Sequence, residues 1–259
     1  MVKTLTLFLL VLSLVLPAAA PSLQEDLPDY AFVAGIVAHG QTYPLSCESR
    51  SAADLANYWG IPVDEVEFFD ALPISDNPEK GFVGSVMGVW GHIPPNSYGV
   101  HAVPVASLLR QYGLDAKAQR GMSLYELKRE IANGRPVIVW VVGHVWQGTP
   151  ETYTAKDGSQ VTVARFEHTM IAYGYDKAGV YLIDAGNGTR GNHGNERFEN
   201  SWGVLGNMAV TASGIIHHIP DEYDCGIYEE DTGGYFDILI PWSGGGWQKP
   251  PGAQYHCPL

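Results

Sequence analysis

Residues 41–60 read QTYPLSCESRSAADLANYWG, a segment that contains one cysteine. After Cys47, apolar residues recur at helical spacing as far as Trp59. Gly60 followed by Pro62 is the usual ending of such a helix. The segment therefore predicts an amphipathic helix with Cys47 in or beside its first turn.

Cys47 has the setting of a thiol nucleophile. The N-terminus of a helix lowers a cysteine pKa and so favours the reactive thiolate. Gln41 precedes Cys47 by six positions, and a side-chain amide can donate to an oxyanion. On this segment alone, a buried structural thiol is an equally good interpretation.

The first 20 residues have the order of a secretory signal peptide. A lysine at position 3 precedes an apolar or small stretch at residues 5–15, and three alanines occupy positions 18–20. The stretch is shorter than the roughly 20 residues that span a bilayer. We therefore expect residues 1–20 to be removed and the protein to be extracellular, free or associated with the cell wall, with no membrane attachment after cleavage.

The composition disfavours some partners and leaves the cysteine pairing open. A formal net charge of -13 argues against nucleic acid and anionic lipid as partners. Three cysteines leave an odd one in an exported protein, so Cys225 and Cys257 either form a disulfide that leaves Cys47 free or stay reduced. The histidines lack the cysteine spacing of a zinc site, and we expect no metal and no cofactor.

The remaining chain divides into a linker, one domain and an extension. Residues 21–31 predict an N-terminal linker, residues 32–218 a single domain, and residues 219–259, with their glycine and proline runs, a C-terminal extension. Helical patterns come first and mostly antiparallel strand patterns follow, which predicts an α+β domain. The expected elements are a strand at residues 32–38, helices at residues 47–59, 64–69, 103–112 and 123–133, and strands at residues 136–142, 160–165, 169–175 and 180–183.

His168 and Asp184 are the best candidates for a base and its orienting carboxylate. His168 begins an apolar strand, and Asp184 ends the next strand sixteen residues later. A hairpin turn at residues 176–179 would bring both side chains to the same end of the sheet. Each residue taken alone is more often structural. His144 ends another strong strand and competes for the role of base, but it has no carboxylate partner at hairpin distance.

The candidate substrate-binding residues are Glu48, Trp90 and Tyr98. Glu48 follows the cysteine, where its charge would raise the thiol pKa by repulsion and where a first-turn acid also suits the helix dipole. Trp90 and Tyr98 lie in an irregular loop at residues 72–99, which is long enough to be functional and to shape a substrate groove. The loop histidines that we expect to line a surface or bind substrate are His92, His101 and His193.

Residues 41–210 resemble the papain-like cysteine peptidases of family thirty-nine, a type that includes the bacteriocin-processing peptidases that cut after double glycine. The shared features are the glutamine six residues before the cysteine, GRPVIV at residues 134–139, EHT at residues 167–169, GYD at residues 174–176 and YLID at residues 181–184. The resemblance implies a papain-like fold in which the nucleophile helix packs on a mostly antiparallel sheet. It also implies that Cys47 is the nucleophile, His168 the base, Asp184 its orienting residue and Gln41 the oxyanion donor.

The chain departs from the family pattern at two places. Glu48-Ser49 stands where family members often have Gly-Pro, and Asp184-Ala185 stands where they often have Asp-Pro. The Cys-Glu pair and the sequence KGFVG at residues 80–84 resemble the secreted branch of the family.

We therefore expect a secreted cysteine peptidase, present as a monomer, that hydrolyses a peptide or protein substrate through an acyl-enzyme. A cell-wall amidase or acyl transferase is the first alternative, since the same triad attacks any activated acyl group. A peptidase-like binding domain without activity is the second alternative, because Glu48 follows the nucleophile in place of glycine.

Overall fold

The computed structural model describes residues 26–215 and, further along the chain, two pairs of short strands. The predicted signal peptide, Cys225 and Cys257 lie outside the described residues, as does most of the predicted extension. In the described part of the chain, no helix has the length and apolar character needed to cross a bilayer. The two short pairs join Ile227–Tyr228 with Tyr235–Phe236 and Ile240–Trp242 with Gly246–Gln248.

Four of the five helices within residues 26–215 lie where the sequence predicts them. The Asp64 side chain caps the second helix by accepting from the backbone N–H groups of Val66 and Glu67. The predicted capping box between Ser123 and Glu126 begins the fourth helix. The helices are α1 (Cys47–Tyr58), α2 (Glu65–Ala71), α3 (Ala102–Gln111), α4 (Leu124–Ala132) and α5 (Asn195–Gly203), of which only α5 was not expected.

The strands form a seven-stranded antiparallel sheet and a separate hairpin. The main sheet has the order β2-β9-β3-β6-β7-β8, with β1 paired to β6, and β4 pairs with β5 outside it. Helices that pack on a mostly antiparallel sheet confirm the expected α+β class. The strands are β1 (Ala31–Phe32), β2 (Leu114–Gln119), β3 (Val137–Val142), β4 (Glu151–Thr154), β5 (Gln160–Val163), β6 (Glu167–Tyr175), β7 (Gly179–Asp184), β8 (Arg190–Gly194) and β9 (Ala209–Ile215).

The prediction of a strand at residues 32–38 is wrong beyond Phe32. Gly35 adopts φ of 83°, which turns the chain away from the sheet edge. The segment then runs toward the end of β7, where the backbone N–H of Gln41 donates to the carbonyl of Ala185 at 2.7 Å. The apolar run of this segment therefore continues as an irregular connection and not as a strand.

Strand β3 explains why the sheet is covered on both faces. All six of its side chains are buried. Ile138, Trp140 and Val142 pack with α1, α2 and α3, and the alternate residues pack with α4 and α5. Each fully buried side chain of this size contributes about 1.5–3 kcal/mol of hydrophobic stabilisation. The unbroken apolar run of β3 thus forms the central layer between two layers of helices.

Candidate active site

Cys47 is the first residue of α1 and is 5% exposed. Glu65, the first residue of α2, fixes the loop before it by accepting from the backbone N–H of Thr42 at 2.8 Å and from the Ser46 hydroxyl at 2.5 Å. Glu65 is itself buried and also contacts Arg50. The sequence marks Glu65 only as a first-turn acid, so its role as the anchor of the cysteine loop was not predicted.

The thiol of Cys47 is buried beside two carboxyl groups. Its Sγ donates to Glu48 Oε2 at 3.2 Å. Burial, followed by the charges of Glu48 and Glu167, raises the pKa of Cys47 well above its ordinary value, and hydrogen bonds from Thr169 only partly oppose this effect. No hydrogen bond joins the thiol to an imidazole within residues 26–215. The resting group at neutral pH is therefore the protonated thiol, and the helix N-terminus does not control its pKa.

Glu48 and Glu167 form a buried carboxyl pair beside the sulfur. One oxygen from each carboxyl group and the thiol sulfur all lie within 4.8 Å of one another. Glu48 Oε1 accepts from the backbone N–H of Val100 at 2.6 Å, whereas Glu167 Oε1 has no hydrogen-bond partner in the described part of the chain. Burial raises the pKa of Glu48 to about 7, and burial with the neighbouring Glu48 charge raises that of Glu167 well above its usual range. The pair therefore holds at least one proton at neutral pH.

Gly99 leaves the space that this carboxyl pair occupies. Its φ is 145°, and a Cβ at this position would lie 2.3 Å from Glu48 Oε1 and 2.8 Å from Glu167 Oε2. Any larger residue would displace a carboxyl group. Glu48, only 1% exposed, is held inside the protein, so no surface of it is available to contact substrate in this conformation.

The structure brings His168 and Asp184 together. Strands β6 and β7 are joined by the predicted turn, in which Asp176 Oδ1 accepts from the backbone N–H groups of Ala178 and Gly179. At the other end of the hairpin, His168 Nε2 lies 2.7 Å from Asp184 Oδ1. Burial acts to raise the pKa of Asp184, but the hydrogen bonds and charge of its neighbours, His168 first, lower it to about 2. Asp184 is therefore a fixed anion at neutral pH.

His144 also binds Asp184, a carboxylate that lies 40 residues away in the sequence and not within one hairpin. Its Nδ1 contacts Asp184 Oδ2, while the imidazole remains 45% exposed. Strands β3 and β7 flank β6 on opposite sides, so a turn after β3 can reach across β6 to the end of β7. Such a contact depends on the order of strands in the sheet and not on a single hairpin.

Trp90 and Tyr98 lie in different environments. The Trp90 ring centroid is 5.8 Å from those of both His144 and His168, and its indole N–H donates to the Glu167 carbonyl at 2.9 Å. Trp90 is half-buried and borders the candidate site. Tyr98 is 3% exposed and packs in an apolar cluster with its hydroxyl 3.3 Å from His101 Nε2, so its predicted place on a groove surface is wrong.

Gln41 lies beside the end of β7, but its amide is engaged. The side-chain Nε2 donates to the carbonyls of Tyr43 at 2.8 Å and of Pro44 at 2.7 Å. Its Oε1 is buried without a hydrogen-bond partner among residues 26–215. An oxyanion would therefore have to replace one of these two carbonyl acceptors.

The three loop histidines differ in exposure. His92 is exposed, and half-buried His193 lines a cavity of about 270 Å³ together with His144 and Asp184. His101 is fully buried and bonded through Nδ1 to Glu79 at 2.5 Å, so the expectation that it lines a surface is wrong.

Two groups of side chains have donor atoms close enough to share a metal ion, and each group contains hydrogen bonds between its own members. In the first group, His144 and His168 are hydrogen-bonded to Asp184. In the second, the Cys47 thiol is hydrogen-bonded to Glu48, with Glu167 alongside. The Glu167 carboxyl group is the member of the second group that no hydrogen bond holds within residues 26–215.

The chain is similar to a curated protein and to solved structures. The curated protein YvpB of Bacillus subtilis (strain 168), which is uncharacterized, is 26% identical over 182 residues, covering 63% of this chain and 67% of YvpB. The crystal structure of a candidate C39-like peptidase from Bacillus anthracis covers 72% of this chain and 98% of its own, with 24% identity and a TM-score of 0.62. Xylellain, a cysteine protease from Xylella fastidiosa, covers 73% and 87%, with 12% identity and a TM-score of 0.43.

The profile of the Peptidase_C39 like family matches residues 33–210. This range contains the α1 helix, the β6–β7 hairpin and both groups of candidate catalytic side chains. The chain therefore belongs to the Peptidase_C39 like family and has the papain-like fold of the C39 peptidases.

Proposed function

We propose that this protein is a secreted cysteine peptidase in which Cys47 is the nucleophile, His168 the base and Asp184 the residue that orients His168. The observation that carries the proposal is the 2.7 Å contact between His168 Nε2 and Asp184 Oδ1 on the strand that borders the thiol. Membership of the Peptidase_C39 like family supports the same reaction class. The proposed substrate is a peptide or protein, cleaved by a monomer outside the cell.

His168 lies between Glu167 and Thr169, which both interact with Cys47, so its backbone borders the thiol. Because side chains alternate along a strand, the imidazole rests on the opposite face of β6, and the proposal requires it to meet the thiol at the end of β6 when substrate binds. Because Asp184 occupies Nε2 of the imidazole, Nδ1 is the nitrogen left to accept the thiol proton. Proton transfer from Cys47 to His168 would replace a neutral pair by a thiolate and an imidazolium, and the Asp184 anion stabilises that imidazolium.

The thiolate attacks the peptide carbonyl carbon, and the carbonyl oxygen becomes an oxyanion. The Cys47 backbone N–H, at the N-terminus of α1 where the first amides lack intrahelical acceptors, donates to that oxygen. The Gln41 amide is the second donor after it releases Tyr43 or Pro44. His168 then protonates the leaving amine, and it later takes a proton from the water that hydrolyses the acyl-enzyme.

Cys47→Ala tests the proposal against a peptide library, with Ser49→Ala, two residues further along α1, as the matched control. Loss of the nucleophile should reduce hydrolysis by at least about 10³-fold, because the acyl-enzyme cannot form. Ser49→Ala should retain cleavage of the same peptides. Undiminished turnover by Cys47→Ala would remove the mechanism.

A cell-wall amidase or acyl transferase would use the same residues. Product analysis with peptidoglycan and free peptides as competing substrates separates these activities from a peptidase. Release of muropeptide fragments without cleavage of free peptides would favour the amidase.

The raised thiol pKa favours one further candidate, a binding domain without activity. A protein of this kind would hydrolyse none of the library peptides, and its Cys47 would react with iodoacetamide no faster than free cysteine does. Cleavage that disappears in Cys47→Ala excludes this candidate.

A further inference from the structure

Asp184 lies between two imidazole rings. Its Oδ1 contacts His168 Nε2 at 2.7 Å and accepts from the backbone N–H of Gly186 at 2.8 Å. Its Oδ2 contacts His144 Nδ1. Both carboxylate oxygens are thus occupied, and His144 supplies the contact on the side that faces the cavity.

His144 is held by a backbone turn of unusual conformation. The next residue, Val145, has φ of 59° and is completely buried, although β-branched residues rarely occupy this region. Gly143 has φ of 50° and donates its N–H to the Phe166 carbonyl at 2.7 Å. Strained residues of this kind persist where the surrounding structure fixes them, and they cluster at functional sites.

Helix α5 and two aromatic rings hold the same turn from other directions. Arg197 donates through Nε to the Val145 carbonyl at 2.8 Å and through Nη2 to the His144 carbonyl at 3.4 Å. The Trp90 and Trp146 ring centroids lie 5.8 Å and 5.5 Å from that of His144. Residues from α5, from the loop at residues 72–99 and from the turn itself therefore fix the position of the His144 imidazole.

We propose that His144 is a positioning residue of the peptidase site, which keeps the Asp184 carboxylate turned toward His168. This inference rests on the proposed function. His144 Nδ1–H donates to Oδ2 and prevents the carboxylate from rotating toward water in the cavity. Asp184 Oδ1 then stays on His168 Nε2, and His168 Nδ1 stays available for the thiol proton.

His144→Asn and His144→Leu test the proposal as a matched pair. The Asn amide nitrogen lies where imidazole Nδ1 lies and can still donate to Asp184, whereas Leu fills similar space without a donor. His193→Leu removes a different imidazole from the wall of the same cavity. Comparison with His144→Leu separates the loss of the Asp184 contact from the loss of a cavity-lining imidazole. On a library peptide, we expect kcat to fall at least tenfold in His144→Leu with KM within about twofold, and His144→Asn to recover most of kcat.

A second measurement needs no substrate. Nitrogen NMR of ¹⁵N-histidine-labelled protein, with His168→Gln to assign the signals, reports which imidazole nitrogen of His168 carries the proton. We expect the Nε2–H form in the wild type and in His144→Asn, and a mixture of both forms in His144→Leu.

An unchanged His168 tautomer and unchanged kcat in folded His144→Leu would overturn the inference. Equal defects in the Asn and Leu variants would also overturn it, because a merely structural role makes no distinction between them. If Cys47→Ala cleaves as well as the wild type, the proposed function fails, while the tautomer measurement still decides whether His144 positions Asp184.

Discussion

Glu48→Gln changes the charge next to the thiol with little change in shape. Glu48 Oε2 accepts from the Cys47 thiol at 3.2 Å, and Oε1 accepts from the Val100 N–H at 2.6 Å. The Gln carbonyl can keep the Val100 contact while its amide N–H points toward sulfur. The substitution therefore removes a neighbouring negative charge and adds a donor that stabilises a thiolate.

The expected magnitude follows from the short distance. At a separation of 3.2 Å, a carboxylate and a thiolate repel each other by about 5 kcal/mol with an effective dielectric constant of about 20. Relaxation and protonation shared with Glu167 reduce this value. Since about 1.4 kcal/mol already changes an ionisation equilibrium tenfold, we expect the thiolate population of Cys47 at pH ~8 to increase at least tenfold.

The pH dependence separates charge from shape. Glu48 has its pKa raised to about 7 by burial, so it is mostly ionised at pH ~8 and mostly protonated at pH ~6. The difference between the variant and the wild type should therefore be large at the higher pH and small at the lower one.

Iodoacetamide alkylation measures the effect directly, since the thiolate is the reacting form. Mass spectrometry of the Cys47 peptide gives the rate without interference from Cys225 and Cys257, and Glu67→Gln, at an exposed acid on α2, is the control. A gain of less than threefold at pH ~8, or an equal gain at both pH values in a folded variant, would refute the electrostatic account.

Two stability predictions concern the same pocket. A carboxyl group whose folded pKa is raised from 4.5 to about 7 binds its proton more tightly in the native state, so Glu48 should destabilise the fold by about 3 kcal/mol as pH rises from ~4.5 through ~7. Thermal unfolding should show this loss in the wild type and a flatter profile in Glu48→Gln; an equally steep profile would contradict it. Gly99→Ala should lose about 1–3 kcal/mol more than Gly113→Ala in denaturant unfolding, because both glycines have positive φ but only a Cβ at Gly99 meets the carboxyl pair. Equal losses would mean that the pocket can expand.

The sequence predicts the parts of the fold that local patterns determine. Helical spacing after Cys47 locates α1, and the turn chemistry of Asp176 locates the hairpin that aligns His168 with Asp184. The strand after Phe32 was mispredicted because an apolar run does not reveal that Gly35 turns the chain away.

The missed parts of the site depend on contacts across strands and helices. The contact between His144 and Asp184 crosses β6, and the anchoring of the cysteine loop by Glu65 joins two helices. The side of the strand on which Glu167 lies, by contrast, follows from the strand period. Glu167 precedes His168 by one residue, so it must face the opposite side of the strand, toward α1.

The two faces of strand β6 carry different parts of the site. Which side chains lie on each face depends on the register in which β6 pairs with β3 and β7. Glu167 and Thr169 interact with Cys47, whereas His168 contacts Asp184. A slip of one residue in β6 would exchange the faces, placing the imidazole in the acidic pocket and a carboxylate against Asp184. Insertions within this strand should therefore abolish the site even if the sheet survived.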